Sequence, residues 1–136
     1  MILVDTNVIV DLFKADSPWK AWSEEQLFAA SQVNQLTINA VIYAELCAVP
    51  GAADAVDRLM QDADMRMEPL SKPCARLAGE AFAKYRKRSG TKTGAKTCVS
   101  ADFFIGAQAE SEGWTILTRN QARHKTYFPE VPLICP

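Results

Sequence analysis

Three carboxylates in this chain of 136 residues stand where a merely solvated acid has no reason to be. Asp5 ends the apolar run Ile2-Leu3-Val4, Glu45 interrupts Ala40-Val41-Ile42-Tyr43-Ala44 just before Leu46, and Asp102 leads into Phe103-Phe104-Ile105. Other acids, among them Glu24, Glu25, Asp54, Asp57, Asp62 and Asp64, fall where exposed helix faces would put them. Each of the three also has a plain reading. Asp5 would cap a helix, Glu45 would pair with a nearby base, and Asp102 would be a first-turn acid favoured by the helix dipole. Brought to one crevice, however, three carboxylates repel unless a cation lies between them. An oxygen-only set suits a hard cation, magnesium or manganese. Such a centre cuts phosphodiesters by activating a water and stabilising charge on the phosphoryl and leaving oxygens. No protein nucleophile is then required, and the single histidine, in Arg123-His124-Lys125, has no serine or cysteine triad around it.

Convergence depends on the elements that carry the acids. Short apolar or β-prone segments at Met1–Val4, Gln35–Ile38, Arg66–Glu68, Thr115–Leu117 and Pro132–Ile134 read as strands. Stretches with apolar residues three and four apart read as helices over Val8–Phe13, Trp19–Gln32, Ala40–Val49, Ala52–Gln61, Cys74–Arg88 and Ala101–Glu112. Pro50-Gly51 and Gly113 mark helix ends. The alternation predicts an α/β fold with a short, mostly parallel sheet. In such a sheet the ligand crevice lies beyond the carboxyl ends of the strands. Asp5, Glu45 and Asp102 all reach that edge.

Composition bounds the rest. The chain is 49% hydrophobic, which suits one domain over residues 1–136 with an ordinary core. Met1 is followed by an apolar run and an acid with no basic leader, and charges interrupt every apolar stretch well short of a membrane span. A soluble cytoplasmic protein with no membrane partner is expected. Cys47, Cys74, Cys98 and Cys135 form no C-x-x-C pair and read as buried free thiols. Net charge is −1, but it is sorted: residues 1–71 hold 11 acids and four bases, residues 72–125 hold 11 bases and four acids. Lys84, Arg86, Lys87, Arg88, Lys92 and Lys96 gather around the loop Ser89-Gly90-Thr91-Lys92-Thr93-Gly94, with Arg119, Arg123 and Lys125 as an extension. This is either a solvated face or a track for a phosphate backbone. No run of aromatic residues alternates with these bases, so no platform for stacked nucleobases is legible.

Leu3-Val4-Asp5-Thr6-Asn7-Val8, Tyr43-Ala44-Glu45-Leu46 and Ala101-Asp102-Phe103-Phe104-Ile105-Gly106-Ala107 together resemble PIN domains. The closing Leu117-Thr118-Arg119-Asn120, followed by Tyr127-Phe128-Pro129, resembles in particular the VapC-type toxins of VapBC toxin–antitoxin pairs. The resemblance runs through the whole chain. It implies a three-layer α/β/α sandwich, a magnesium- or manganese-dependent endoribonuclease acting on tRNA or rRNA, a homodimer, and a cognate antitoxin. It makes Asp5, Glu45 and Asp102 the metal-binding acids, with Thr6, Asn7 and Thr118 as supports. Beside such a site the clustered bases, Arg86, Lys87, Arg88, Lys92 and Lys96, with Arg119 across the crevice, would meet the RNA.

The chain departs from the family where these toxins carry Thr-Arg-Asp. Here Asn120 replaces the fourth acid of the catalytic set, keeping a carbonyl ligand but bringing no charge. Gln108 stands where a histidine is expected. Two alternatives fail on the residues: a haloacid-dehalogenase-type phosphatase needs an acid at position 7, where Asn7 stands, and a receiver domain needs paired acids after the first strand. The serious rival is a PIN-like module that binds RNA or protein without cutting; a DNA-cutting member of the wider nuclease group is a third option, though a chain this short lacks the helical arch or clamp that long DNA substrates call for.

Overall fold

Ile2-Leu3-Val4 offers no polar side chain to either face. In the computed structural model, which describes residues 1–89 and 98–136, it forms β1 (Ile2–Val4), a central strand buried on both sides. The chain continues through α1 (Thr6–Phe13), α2 (Lys20–Val33), β2 (Leu36–Asn39), α3 (Ala40–Cys47), α4 (Ala53–Asp62), β3 (Arg66–Glu68), α5 (Lys72–Ser89), α6 (Ala101–Glu112), β4 (Thr115–Leu117), α7 (Ala122–Tyr127) and β5 (Leu133–Ile134). The strands form one sheet in the order β3-β2-β1-β4-β5, with every pairing parallel. Helices flank it as an α/β/α sandwich; the alternating pattern implied the α/β class and the parallel sheet, and the resemblance implied the three layers.

β1 pairs with β2 on one side, Leu3 opposite Thr37, and with β4 on the other, Val4 opposite Leu117. The chain therefore leaves β1 in one direction and returns on the opposite side. That makes the gap between β1 and β4 a topological switch point, where the following loops diverge and leave a crevice. The core beneath it includes Leu3, Val4, Ile38, Ile42, Phe103, Ile105, Ile116 and Leu117, all essentially inaccessible.

Local chemistry sets the element ends. Asn39 closes β2 and caps α3 at once, its Oδ1 accepting from the backbone N–H of Val41 and Ile42 at 3.0 and 2.9 Å. The strand thus runs to Asn39 rather than stopping at Ile38. Gly113 ends α6 in the left-handed region at φ 67°. α1 starts at Thr6, two residues earlier than its apolar pattern indicates. α7 was not legible at all. It has six residues, and its only buried member is His124, so no apolar stripe announces it.

The cysteines depart from expectation. Cys74 alone is buried, with burial pushing its thiol up to about 11; Cys47 and Cys135 are half-buried and Cys98 is exposed. All four are free thiols. Among the described residues, no helix is long and apolar enough to cross a membrane.

Candidate functional site

The carboxyl end of β1 passes straight into α1 through one residue, Asp5. Its backbone is extended and its side chain caps nothing, which removes the helix-cap reading. Instead the carboxylate is buried at the switch point. Its Oδ2 accepts from Thr118 Oγ1 at 2.7 Å, across from the end of β4, and from Asn7 Nδ2 at 2.5 Å. Thr118 Oγ1 in turn accepts from Asn7 Nδ2 at 3.1 Å and from the Asn120 backbone N–H at 3.0 Å. One donor and two acceptor positions are all a hydroxyl has, so Thr118 is fully engaged. Asn7 Oδ1 accepts from the Arg119 backbone N–H at 3.1 Å, stitching α1 to the segment after β4. Asp5 Oδ1 has no hydrogen-bond partner among the described residues.

Glu45 reaches the same groove from the second turn of α3. Thr6 Oγ1 donates to its Oε2 at 2.6 Å, and no base pairs with it among the described residues. Asp102 comes from the first turn of α6. Its Oδ2 is bound by the Arg123 guanidinium, which also donates to Ser100 Oγ at 3.3 Å and lies over the rings of Tyr85 and Phe103 at 5.7 and 5.6 Å. Asp5, Thr6, Asn7, Glu45, Asp102, Arg119 and Asn120 line one open groove of about 550 Å³. The fold thus brings the predicted acids, their supports and Asn120 together.

Among the described residues, no three carboxylate, histidine or cysteine side chains stand close enough to ligate one ion as a ready-made cluster. The donor set is nonetheless compatible with magnesium or manganese. All three acids present oxygen, each keeps one oxygen unengaged by the described residues, and magnesium keeps several waters while taking one or two carboxylates directly.

The basic residues divide. Arg86, Lys87 and Arg88 occupy the last turn of α5 and are exposed. Lys92 and Lys96 lie outside the described residues. Arg119 lines the groove, but its Nε stands 2.9 Å from the buried carboxylate of Asp11 without aiming its N–H at the oxygen. Asp11 also accepts from Ser17 Oγ and Ser23 Oγ at 2.8 and 3.1 Å. Arg123, read from the sequence as an extension of the basic track, is instead committed to Asp102.

Sequence reasoning passed over Asp11 and gave His124 no part. Asp11 interrupts Val8-Ile9-Val10 and Leu12-Phe13 just as Glu45 interrupts its run, and that signal would have found it. His124 is buried behind Asp5, with Nε2 3.9 Å from Oδ2 and Nδ1 unpartnered among the described residues. Nothing in the sequence marks that proximity. Gln108 has a structural role. It accepts from Asn39 Nδ2 at 2.9 Å and donates to Pro69 O at 3.2 Å, tying α6 to the residue that caps α3. Tyr43, beside Glu45 on α3, donates to Asp57 at 2.9 Å, which holds its phenol protonated with a pKa raised to about 12.

Residues 2–129 match the family profile of the PIN domain. The fold is similar to VapBC2 from Rickettsia felis, solved bound to a DNA fragment from its promoter, with a TM-score of 0.72 at 18% identity, covering 100% of this chain and 99% of that one. It is similar to a toxin–antitoxin complex from Klebsiella pneumoniae, TM-score 0.66, 20% identity, 98% and 96% covered. It is also similar to VapC20 of Mycobacterium tuberculosis, a sarcin–ricin-loop-cleaving toxin, TM-score 0.63, 17% identity, 97% and 99% covered. No curated protein matches the chain.

Proposed function

The chain belongs to the PIN-domain family, and from that premise we propose that it is a metal-dependent endoribonuclease serving as the toxin of a toxin–antitoxin pair. Residues 1–136 are taken as one such domain. The observation that carries this reading is the groove at the β1/β4 switch point, where Asp5, Glu45 and Asp102 each have one oxygen held by a neighbour and the other unengaged by the described residues.

Asp5, Glu45 and Asp102 would hold magnesium, with manganese as the substitute. The bound ion would supply an activated water and stabilise charge on the phosphoryl and leaving oxygens. The chain's own part is orientation. Thr118 and Asn7 keep the Asp5 carboxylate turned to the groove, Thr6 fixes Glu45, and Arg123 fixes Asp102; partners of this sort set how a ligating carboxylate presents itself. Arg119, paired by charge with Asp11, would offer its N–H groups to a phosphate in the groove. Arg86, Lys87 and Arg88 supply charge for the flanking backbone.

The substrate in this reading is tRNA or rRNA, and the partners are a cognate antitoxin and a second copy of the chain. The similarity to toxin–antitoxin complexes supports the antitoxin.

One observation favours a second reading, a PIN-like module that binds RNA or protein without cutting: Asn120 stands on the rim of the acid groove without a charge to contribute. Metal separates the two. Purified protein is incubated with mixed tRNA and rRNA in magnesium, manganese or chelator, beside an Asp5→Asn control. Discrete fragments that vanish with chelator and with the substitution are expected. Intact RNA in every lane would replace the nuclease with the binding module.

A further inference from the structure

Beside the acid groove lies a second pocket of about 300 Å³, walled by Tyr85, Arg88, Asn120, Arg123, Thr126 and Tyr127. It shares Asn120 with the acid groove, so the two are neighbours along one path. Resting on the ribonuclease reading, we propose that this pocket takes one unpaired nucleobase of the RNA strand whose phosphate lies in the acid groove.

The walls have the chemistry of base recognition. Tyr85 and Tyr127 meet edge to face, centroids 6.1 Å apart at 77°, and both pack on Phe103 at 5.6 and 5.4 Å. Behind them Phe82 stacks on Tyr85 at 6.0 Å. Tyr127 is half-buried and held in place by these edge contacts, so offering its ring to a base costs little ordering, while Tyr85, with Phe82 stacked on it and Arg123 over it, backs the wall. Arg123 completes the wall. Asp102 neutralises it, and the rings and Ser100 fix its plane, so it presents a flat guanidinium rather than a mobile charge. Unpaired bases stack on both aromatic rings and guanidinium planes. Arg88, exposed at the mouth, remains for a phosphate. The Asn120 side chain makes no hydrogen bond among the described residues and has both donors and an acceptor for a base edge. The volume lies at the low end of the about 300–1,000 Å³ of small-ligand clefts, which suits one base and not a duplex or a protein helix.

The linear sequence concealed this site. Tyr85 precedes the basic turn Arg86-Lys87-Arg88, but Tyr127 is brought to it only by α7. The pocket supplies the stacking surface that the order of residues did not reveal.

The test is binding of a short random-sequence single-stranded RNA, compared with an abasic ribose-phosphate of equal length, to the full chain in excess chelator over a range of salt. Cleavage in magnesium is measured in parallel. RNA should bind more tightly than the abasic strand. Tyr127→Leu should lower RNA affinity about tenfold, the loss of one stacked base, with abasic binding and the salt slope unchanged. Tyr127→Phe, which keeps the ring, should restore it. Arg88→Ala should weaken both ligands and flatten the salt slope. Equal binding of RNA by wild type and Tyr127→Leu, or parallel losses for both ligands, would overturn the pocket. If Tyr127→Leu fails to fold, photocrosslinking of thiouridine-bearing RNA to the wild type decides: adducts on Tyr85 or Tyr127 support the pocket, and adducts confined elsewhere refute it. Cleavage that persists while Tyr127 proves irrelevant removes the pocket alone. Base-dependent binding without cleavage removes the nuclease reading and leaves the pocket.

Discussion

The Asp5 carboxylate is arranged mainly by neutral groups. Thr118 and Asn7 both donate to its Oδ2, which leaves its second oxygen for the groove. Asn120 is the residue at which charge is missing. Asn120→Asp should raise manganese affinity roughly tenfold, the lower end of what partners around a metal ligand contribute, as read by calorimetric titration; an unchanged affinity would place position 120 outside the metal's reach. Asp11 governs the other side of the groove. Its carboxylate is almost fully buried and meets Arg119, Ser17 and Ser23. Asp11→Ala would strand two hydroxyls and a guanidinium that is one-third exposed, so water relieves part of the penalty. A loss of about 2–3 kcal/mol in chemical denaturation is expected, below the full cost of breaking a buried pair.

At the level of elements, the site is a consequence of how little chain separates strand from helix. One residue joins β1 to α1 and none separates β2 from α3, so Asp5, Thr6 and Glu45 are delivered to the sheet edge without mobile loops. α7 is held the opposite way, by packing. Its following residue Phe128 lies directly on the backbone of α6, where a Cβ on Gly106 would stand 2.1 Å from the ring. The ring is buried and cannot swing aside cheaply. Gly106→Ala should therefore cost about 1–3 kcal/mol by overpacking. It should also loosen Arg123 over Asp102, so cleavage should fall more than stability alone explains. An alanine variant with wild-type melting and activity would show that α7 docks by other contacts.

Across the whole molecule, charge is sorted to match the two roles proposed for it. The acids concentrate in the first half of the chain, which supplies Asp5 and Glu45, and the bases follow in the second, which supplies the last turn of α5. Replacing Arg86, Lys87 and Arg88 together by Ala should weaken binding of every RNA sequence alike. The slope of log affinity against log salt should fall by about two units if each base meets one phosphate of a single strand. An unaltered slope would make that turn a solvated face.

By itself the sequence determined the fold class, the strands, the helices long enough to show an apolar stripe, and the three acids that line the groove. Those features depend on periodicity and on polar residues placed against it, and both are local. Asp5 was conspicuous because it ends a buried strand, and Glu45 because it breaks an apolar helix. The tertiary structure alone decided which base meets which acid. Arg123 is adjacent to His124 in sequence, yet one binds Asp102 and the other stands behind Asp5. Arg119 turns to Asp11, 108 residues earlier in the chain. α7, the Gln108 bridge and the Tyr85–Tyr127 wall have the same origin. Long polar and aromatic side chains find partners across elements, and sequence spacing carries no record of distances set by the closing of the sheet.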